Sequence, residues 1–335
     1  MLKIKPKKIG VEASSICQLS CPSCPNTSGA IHPVIGSGFL NASDFRKLID
    51  ENPWIAGIEL SNYGEIFLNP HLPEIIEYAF RRRVAVSADN GVNLNDVKEN
   101  VLENMVRYKF KSMSCSIDGA SNETYKIYRR GGNFDTVLGN IERLNFFKKK
   151  FNSSLPRLRW QFVVFGHNEY EIPLARKLAA ELGMSFHVKL SWDSQFSPVR
   201  DREMIRHEVG AASREEYKQI HSVDYKQSLC SKLWDQPQIN WNGKVLGCPR
   251  NFWSEYGVNA FTDGLLQSIN SRRLNYARKM LLGRIEAAPE IPCATCDIYH
   301  TMKRHKAWLV RRPPLSPSHV LERIRSSAER RRAKG

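Results

Sequence analysis

The chain has 335 residues, and 50 Lys and Arg against 34 Asp and Glu give a formal net charge of +16. That length suits two domains, or one large domain with an appendage, at ~150 residues per domain, and a composition 41% hydrophobic and 10% aromatic excludes a mostly disordered chain. No run approaches the ~18 apolar residues of a membrane-spanning helix, and the basic opening MLKIKPKKIG lacks the apolar stretch of a secretory signal, so a soluble, cytoplasmic protein is expected.

Strand candidates follow one another at Gly10–Ala13, Ile58–Ser61, Val84–Ala88, Met113–Ile117, Trp160–Phe165 and Phe186–Leu190. Between them Ile75, Ile76, Ala79 and Phe80 recur at helical spacing, as do Val137, Ile141, Leu144 and Phe147. A further helix is expected through Leu174, Leu178 and Leu182, with Pro173 in its first turn and Gly183 past its end. This alternation predicts an α/β fold of parallel units with right-handed crossovers. Six units give a partial (β/α)6 TIM-like barrel whose site gathers at the C-terminal strand ends.

Near residue 200 the pattern changes. Residues 195–228 read as a polar connecting helix and loop, and Gln238–Cys248 places Asn242-Gly243 between two β-like runs, a hairpin signal. The expected organisation is a barrel over 1–200, a small cysteine-ligated hairpin and helix domain over 201–300, and a basic tail over 301–335. Residues 303–335 hold eleven Lys and Arg against two Glu, with a basic helix expected over 318–332. Such a block reads as a solvated tail or as a contact for a polyanion.

With no export signal, the eight cysteines read as metal-binding or chemical groups rather than as a disulfide framework. Cys17, Cys21 and Cys24 share one loop after the first strand. Three thiolates can hold three irons of a [4Fe-4S] cluster and leave the fourth open, whereas a structural zinc site takes four ligands. Other polar residues fall at the same strand ends: Ser61-Asn62-Tyr63-Gly64-Glu65 after the second, Asp89-Asn90-Gly91 after the third, and Ser116-Ile117-Asp118-Gly119 after the fourth. Tyr125, Tyr128, Arg129, Arg130, Gly131 and Gly132 follow. Strand alternation that points Ser116 and Asp118 inward turns Cys115 outward, as a packed core thiol.

These motifs, in this order over residues 9–190, resemble the radical S-adenosylmethionine (SAM) superfamily. The resemblance implies a cluster on Cys17, Cys21 and Cys24 that binds SAM through its open iron, and whose reduction releases a 5′-deoxyadenosyl radical. It implies Gly64 and Glu65 at the methionyl ammonium, Ser116 at the ribose, and Arg129 or Arg130 at the methionyl carboxylate, with Asn90 and Asp118 as further binding candidates. Glu65 also reads as a helix cap, and Asp118 equally as a turn former. The residue before the third cysteine, often aromatic in that family, is Ser23.

Cys230, Cys248, Cys293 and Cys296 supply four more thiolates, which satisfy zinc or a [4Fe-4S] cluster alike. Beside the triad, the run from Cys230 through Gly243 to Cys248 looks like the start of a SPASM or shortened twitch domain with one auxiliary cluster. That resemblance implies oxidation of a hydroxyl-bearing sugar or cyclitol-type small molecule, neutral or anionic, with the auxiliary cluster taking an electron and a flavodoxin or ferredoxin supplying the reductant. A base would take the proton, with His187, Lys189 and Asp193 at or after the last strands as candidates. Sugar epimerisation, which needs a spare inward thiol, and peptide maturation are the alternatives within the superfamily. A zinc-stapled nucleic-acid-binding protein is the alternative outside it, and leaves the Gly64-Glu65 and Ser116–Gly119 motifs unexplained.

Overall fold

A computed structural model describes residues 3–225 and 229–309. The basic segment from 310 onward, including the helix expected over 318–332, lies outside the described residues. The strands are β1 (Lys8–Val11), β2 (Gly57–Glu59), β3 (Ala85–Val92), β4 (Ser112–Ser116), β5 (Arg157–Val164), β6 (Ser185–Leu190) and β7 (Gln238–Ile239). All pair parallel in the order β6-β5-β4-β3-β2-β1-β7, an unclosed sheet that forms a partial barrel. Each of the six strands expected from the sequence is present, with ends shifted by up to four residues.

The register makes the two faces of this sheet chemically opposite. Ile9, Val11, Ile58, Val86, Met113, Cys115, Leu158, Trp160, Phe162 and Val188 are all buried in the main core, beneath helices α1 (Ala42–Glu51), α2 (Leu72–Arg81), α3 (Glu99–Arg107), α4 (Asn122–Tyr128), α5 (Phe134–Lys150) and α6 (Ile172–Glu181). Trp160 packs on Phe134 of α5, so this is the helix side. Cys115 is its rung neighbour and faces outward as strand alternation predicts. Burying a side chain of this size contributes ~1.5–3 kcal/mol, and a one-residue slip would turn the whole row into the lumen. The alternate positions are Gly10, Glu12, Glu59, Ser61, Ser87, Ser112, Ser114, Ser116, Arg159, Gln161, His187 and Lys189. They form a polar lumen.

The expected helices α2 and α6 both form, with buried faces that differ from the apolar spacing. The buried stripe of α6 is Ile172, Ala175 and Ala179, while Leu174 is 48% exposed; the alanines let the helix approach the sheet closely, and the leucines flank that contact. In α2, Ile75, Ile76 and Ala79 are buried but Phe80 is exposed, its ring beside Tyr108. Pro173 and Gly183 stand at the two ends of α6 as expected, with Gly183 at φ +66°.

The polar 195–228 stretch contains α7 (Arg202–Val209) and α8 (Arg214–His221). The Gln238–Cys248 hairpin forms, Ile239 bridging Val245 antiparallel around Gly243 at φ +85°. Its first strand, β7, also extends the barrel sheet beside β1, where Gly10 N–H donates to Pro237 O at 2.9 Å. A Cβ on Gly10 would fall 2.1 Å from Gln238 Oε1, so glycine permits this edge. The cysteine-bearing C-terminal segment is thereby joined to the first strand. Helices α9 (Arg272–Leu281) and α10 (Asp297–Arg304) complete the described chain. Among the described residues no helix is long and apolar enough to cross a membrane.

Candidate active site at the barrel mouth

The loop after β1 carries Cys17, Cys21 and Cys24, and loops from four other strands hold it. Asn26 Nδ2 donates to Ser15 O at 2.8 Å and to Tyr63 O, after β2, at 3.2 Å. Asn93, after β3, places its amide 3.7 Å from Cys17 Sγ. After β4, Arg130 O accepts from Ser20 N–H at 3.0 Å, and Arg129 Nη1 lies 3.7 Å from Cys21 Sγ. After β6, Ser23 Oγ donates to Asp193 Oδ2 at 2.6 Å and Trp192 Nε1 donates to Ser23 O at 3.0 Å. Burial pushes the Cys17 thiol up to about 12 and raises that of Cys21, which Arg129 opposes. Replacing those protons by metal is the coupling expected of thiolate ligands.

Arg129, rather than Arg130, belongs to the mouth. Its Nε donates to Asp118 Oδ2 at 2.6 Å, with the Asp118 side chain wholly buried, whereas the Arg130 side chain is exposed. Burial raises the Asp118 carboxyl and Arg129 counters it; the pairing keeps Arg129 charged despite its own burial. Asp118 Oδ1 accepts from Val163 N–H at 2.6 Å, so both its oxygens are engaged.

Gly64 and Glu65 pack directly against the cysteine loop. A Cβ on Gly64 would sit 2.1 Å from Ser14 O, which explains the glycine. Glu65 caps the turn that follows, accepting from Phe67 N–H at 3.2 Å and from Asn93 N–H at 2.5 Å, and burial pushes its carboxyl up to about 7. Both its oxygens therefore have protein partners. Asn90 is exposed and tied to Ser61 O at 2.7 Å, while Ser116 is buried in the lumen beside Gly91, whose Cβ would lie 2.7 Å from Ser116 Oγ.

The three base candidates separate cleanly. Asp193 accepts from Ser23 Oγ, Gln195 N–H and Phe196 N–H, and these hydrogen bonds, Ser23 first, hold its carboxyl below the usual range. It is a latch for the cysteine loop. His187 lies on the open lumen face. Lys189 is half-buried, with Nζ 3.2 Å from Gln161 Oε1, and burial together with Arg214 pulls it down to about 8.

Sequence reasoning missed Glu12. It is fully buried at the end of β1, accepts from Tyr63 N–H at 2.9 Å and Gly64 N–H at 3.2 Å, and burial pushes it up to about 8. Its other oxygen has no partner among the described residues. An acid set between the apolar Val11 and Ala13 at the end of the first strand was the available signal.

The other four cysteines gather at one place. Cys230, Cys248, Cys293 and Cys296 line one pocket together with Leu233 and Tyr256. Tyr256 Oη lies 3.3 Å from Cys293 Sγ, and burial pushes Cys230 up to about 12. Tyr63 reaches from the mouth to this cavity, its hydroxyl donating to Pro249 O beside Cys248 at 2.7 Å. Among the described residues no three Cys, His, Asp or Glu side chains converge tightly enough to hold a single metal ion.

Residues 11–151 match the model of the Radical SAM superfamily, and the chain carries a radical SAM domain there. No curated protein matches it in sequence. Among solved structures it is similar to Streptococcus suis SuiB bound to S-adenosylmethionine, with TM-score 0.61 and 13% identity over 88% of this chain and 71% of that one. It is also similar to anSMEcpe with bound AdoMet, with TM-score 0.56 and 14% identity over 88% of each chain. For BtrN in complex with AdoMet and 2-DOIA the TM-score is 0.51, with 14% identity over 88% of this chain and 94% of that one. At these identities the likeness is one of fold, and it extends across the C-terminal segment as well as the barrel.

Proposed function

We propose that this chain oxidises a hydroxyl-bearing small molecule of the sugar or cyclitol type, using SAM at the barrel mouth and an auxiliary iron–sulfur cluster in the C-terminal segment. Bound at Cys17, Cys21 and Cys24, a [4Fe-4S] cluster with SAM supplies reductive cleavage to a 5′-deoxyadenosyl radical, which removes a hydrogen atom from the substrate. The binding of SAM or AdoMet by proteins of this fold supports that choice of ligand. The residues at the mouth suit it, since Asn93 and Arg129 direct N–H groups at the sulfurs of Cys17 and Cys21.

The observation that carries the oxidative reading is the second thiol group. Four cysteines line one pocket, which is the number of thiolates that a fully ligated auxiliary cluster takes. A carbinol carbon that has lost a hydrogen atom becomes a carbonyl by giving up one further electron and the hydroxyl proton. The C-terminal cysteines would hold the electron acceptor, and Lys189 Nζ, which loses its proton near pH 8, would take the hydroxyl proton. Asp118 holds Arg129 in place, and Tyr63 spans the distance between the two thiol groups. Cys115, turned toward the helices, is not placed to return a hydrogen atom as epimerisation requires.

The test is anaerobic incubation of reconstituted protein with SAM and dithionite. The wild type should release 5′-deoxyadenosine, Cys21→Ala should release none, and Cys293→Ala should retain release while losing about half its iron. Release undiminished in Cys21→Ala would refute the assignment.

A further inference from the structure

The polar face of the sheet is divided by charge. Strands β1 to β3 contribute Glu12, Glu59 and Asp89 with the cation Lys8 near Glu59, β4 contributes serines, and β5 and β6 contribute Arg157, Arg159, His187 and Lys189. The register sets Ser112 beside Arg157, Ser114 beside Arg159, and Gln161 beside His187, so the two arginines and the histidine occupy successive rungs of adjacent strands. Arg157, Arg159 and His187 are exposed into the lumen, while Leu158, Trp160 and Val188 between them are buried on the helix side.

These cations make no ion pair among the described residues. On the outer helices, by contrast, Arg46, Arg81, Arg107, Arg143 and Arg176 each meet a carboxylate. A second, independent feature marks the same place. Ser114 is 1% exposed, and its Oγ is buried with no hydrogen-bond partner among the described residues, on the rung of Arg159. A buried hydroxyl left unpaired costs ~1–3 kcal/mol, which a ligand oxygen would offset. Partial desolvation, then Arg159 and Lys189, hold His187 below its usual range, which puts these cations within electrostatic reach of one another.

From these placements we infer that Arg157, Arg159, His187 and the Ser114 hydroxyl form the binding wall for a diphosphate group on the substrate. The inference rests on the reading that the lumen holds the substrate of the radical SAM reaction. Two guanidinium groups, an imidazole and a hydroxyl are the donor set that a phosphate ester takes up through charge-assisted hydrogen bonds. Arg157 and Arg159 stand two residues apart on the same face of β5, ~7 Å at ~3.3 Å per residue, a spacing at which two guanidinium groups meet two linked phosphates.

The test is titration calorimetry on the reconstituted protein with SAM, using inorganic pyrophosphate and uridine diphosphate as probes at ~0.15 M ionic strength, where exposed-charge attraction is screened beyond ~8 Å. At least one probe should bind. Arg159→Gln should weaken it tenfold or more, Ser114→Ala severalfold, and Arg272→Gln, the same charge change on the exposed start of α9, not at all. Preference for uridine diphosphate assigns the diphosphate to a nucleotide-linked substrate, and equal binding assigns it to the diphosphate alone. Binding of neither probe overturns the wall, and so does equal weakening by Arg272→Gln, which would reduce the effect to the general attraction of a +16 chain. Release of 5′-deoxyadenosine, measured on the same preparation, keeps a failure of the wall separate from a failure of the radical SAM reading.

Discussion

Replacing Lys189 with Met should stabilise the fold while removing the proton acceptor. The ammonium sits half-buried in the lumen, pulled from 10.5 to about 8 by burial and by Arg214. At ~1.36 kcal/mol per unit, holding Lys189 charged in the folded protein costs about 3 kcal/mol. Met keeps the length and apolar stem but forfeits the hydrogen bond to Gln161, worth about 1 kcal/mol, leaving a net gain of about 2 kcal/mol at pH 7. The pH dependence follows from linkage. Below about 8 the lysine is protonated in both states and the full cost is present; between about 8 and 10.5 only the unfolded chain keeps its proton, so wild-type stability rises with pH. Anaerobic urea unfolding followed by circular dichroism at pH 7 and near pH 10.5 measures this. The Met variant should lead at pH 7 and lose that lead at the higher pH, while still releasing 5′-deoxyadenosine but forming no oxidised product. A variant that is less stable at pH 7, or whose advantage is the same at both pH values, would refute the reasoning.

Arg129→Met should leave the wholly buried Asp118 without its cation, costing about 3–5 kcal/mol in unfolding experiments and abolishing SAM binding in titration calorimetry. Gly64→Ala puts a Cβ 2.1 Å from Ser14 O and 2.6 Å from Ser14 C, both backbone atoms; SAM affinity should fall at least tenfold, with the far-UV spectrum retained. Asp193→Ala frees Ser23 and the Gln195 and Phe196 amides, so iron should be lost faster to chelators, while Asp193→Asn should restore part of the protection.

How much of this was legible in the sequence depended on the kind of order involved. Alternation made the strands readable, since Ile58, Met113, Trp160 and Val188 must share the helix side while Ser114 and Gln161 share the lumen. The same alternation turned Cys115 outward. The cysteines were readable because thiols cluster by chemistry, and the structure gathers the C-terminal four at one cavity. The β1–β7 pairing was not readable, because two residues carry too little pattern and what permits it is the missing side chain of Gly10. Nor could adjacent arginines be told apart; only the turn after α4 directs Arg129 to Asp118 and leaves Arg130 in solvent. Glu12 and the latch role of Asp193 depend on contacts 51 and 170 residues away in sequence, beyond any local period.

The most direct test is the iron and zinc content per chain after anaerobic reconstitution. Two four-iron clusters predict about eight irons and no zinc. About four irons with one zinc would contradict electron removal through Cys230, Cys248, Cys293 and Cys296, and zinc without iron would contradict the account at its root.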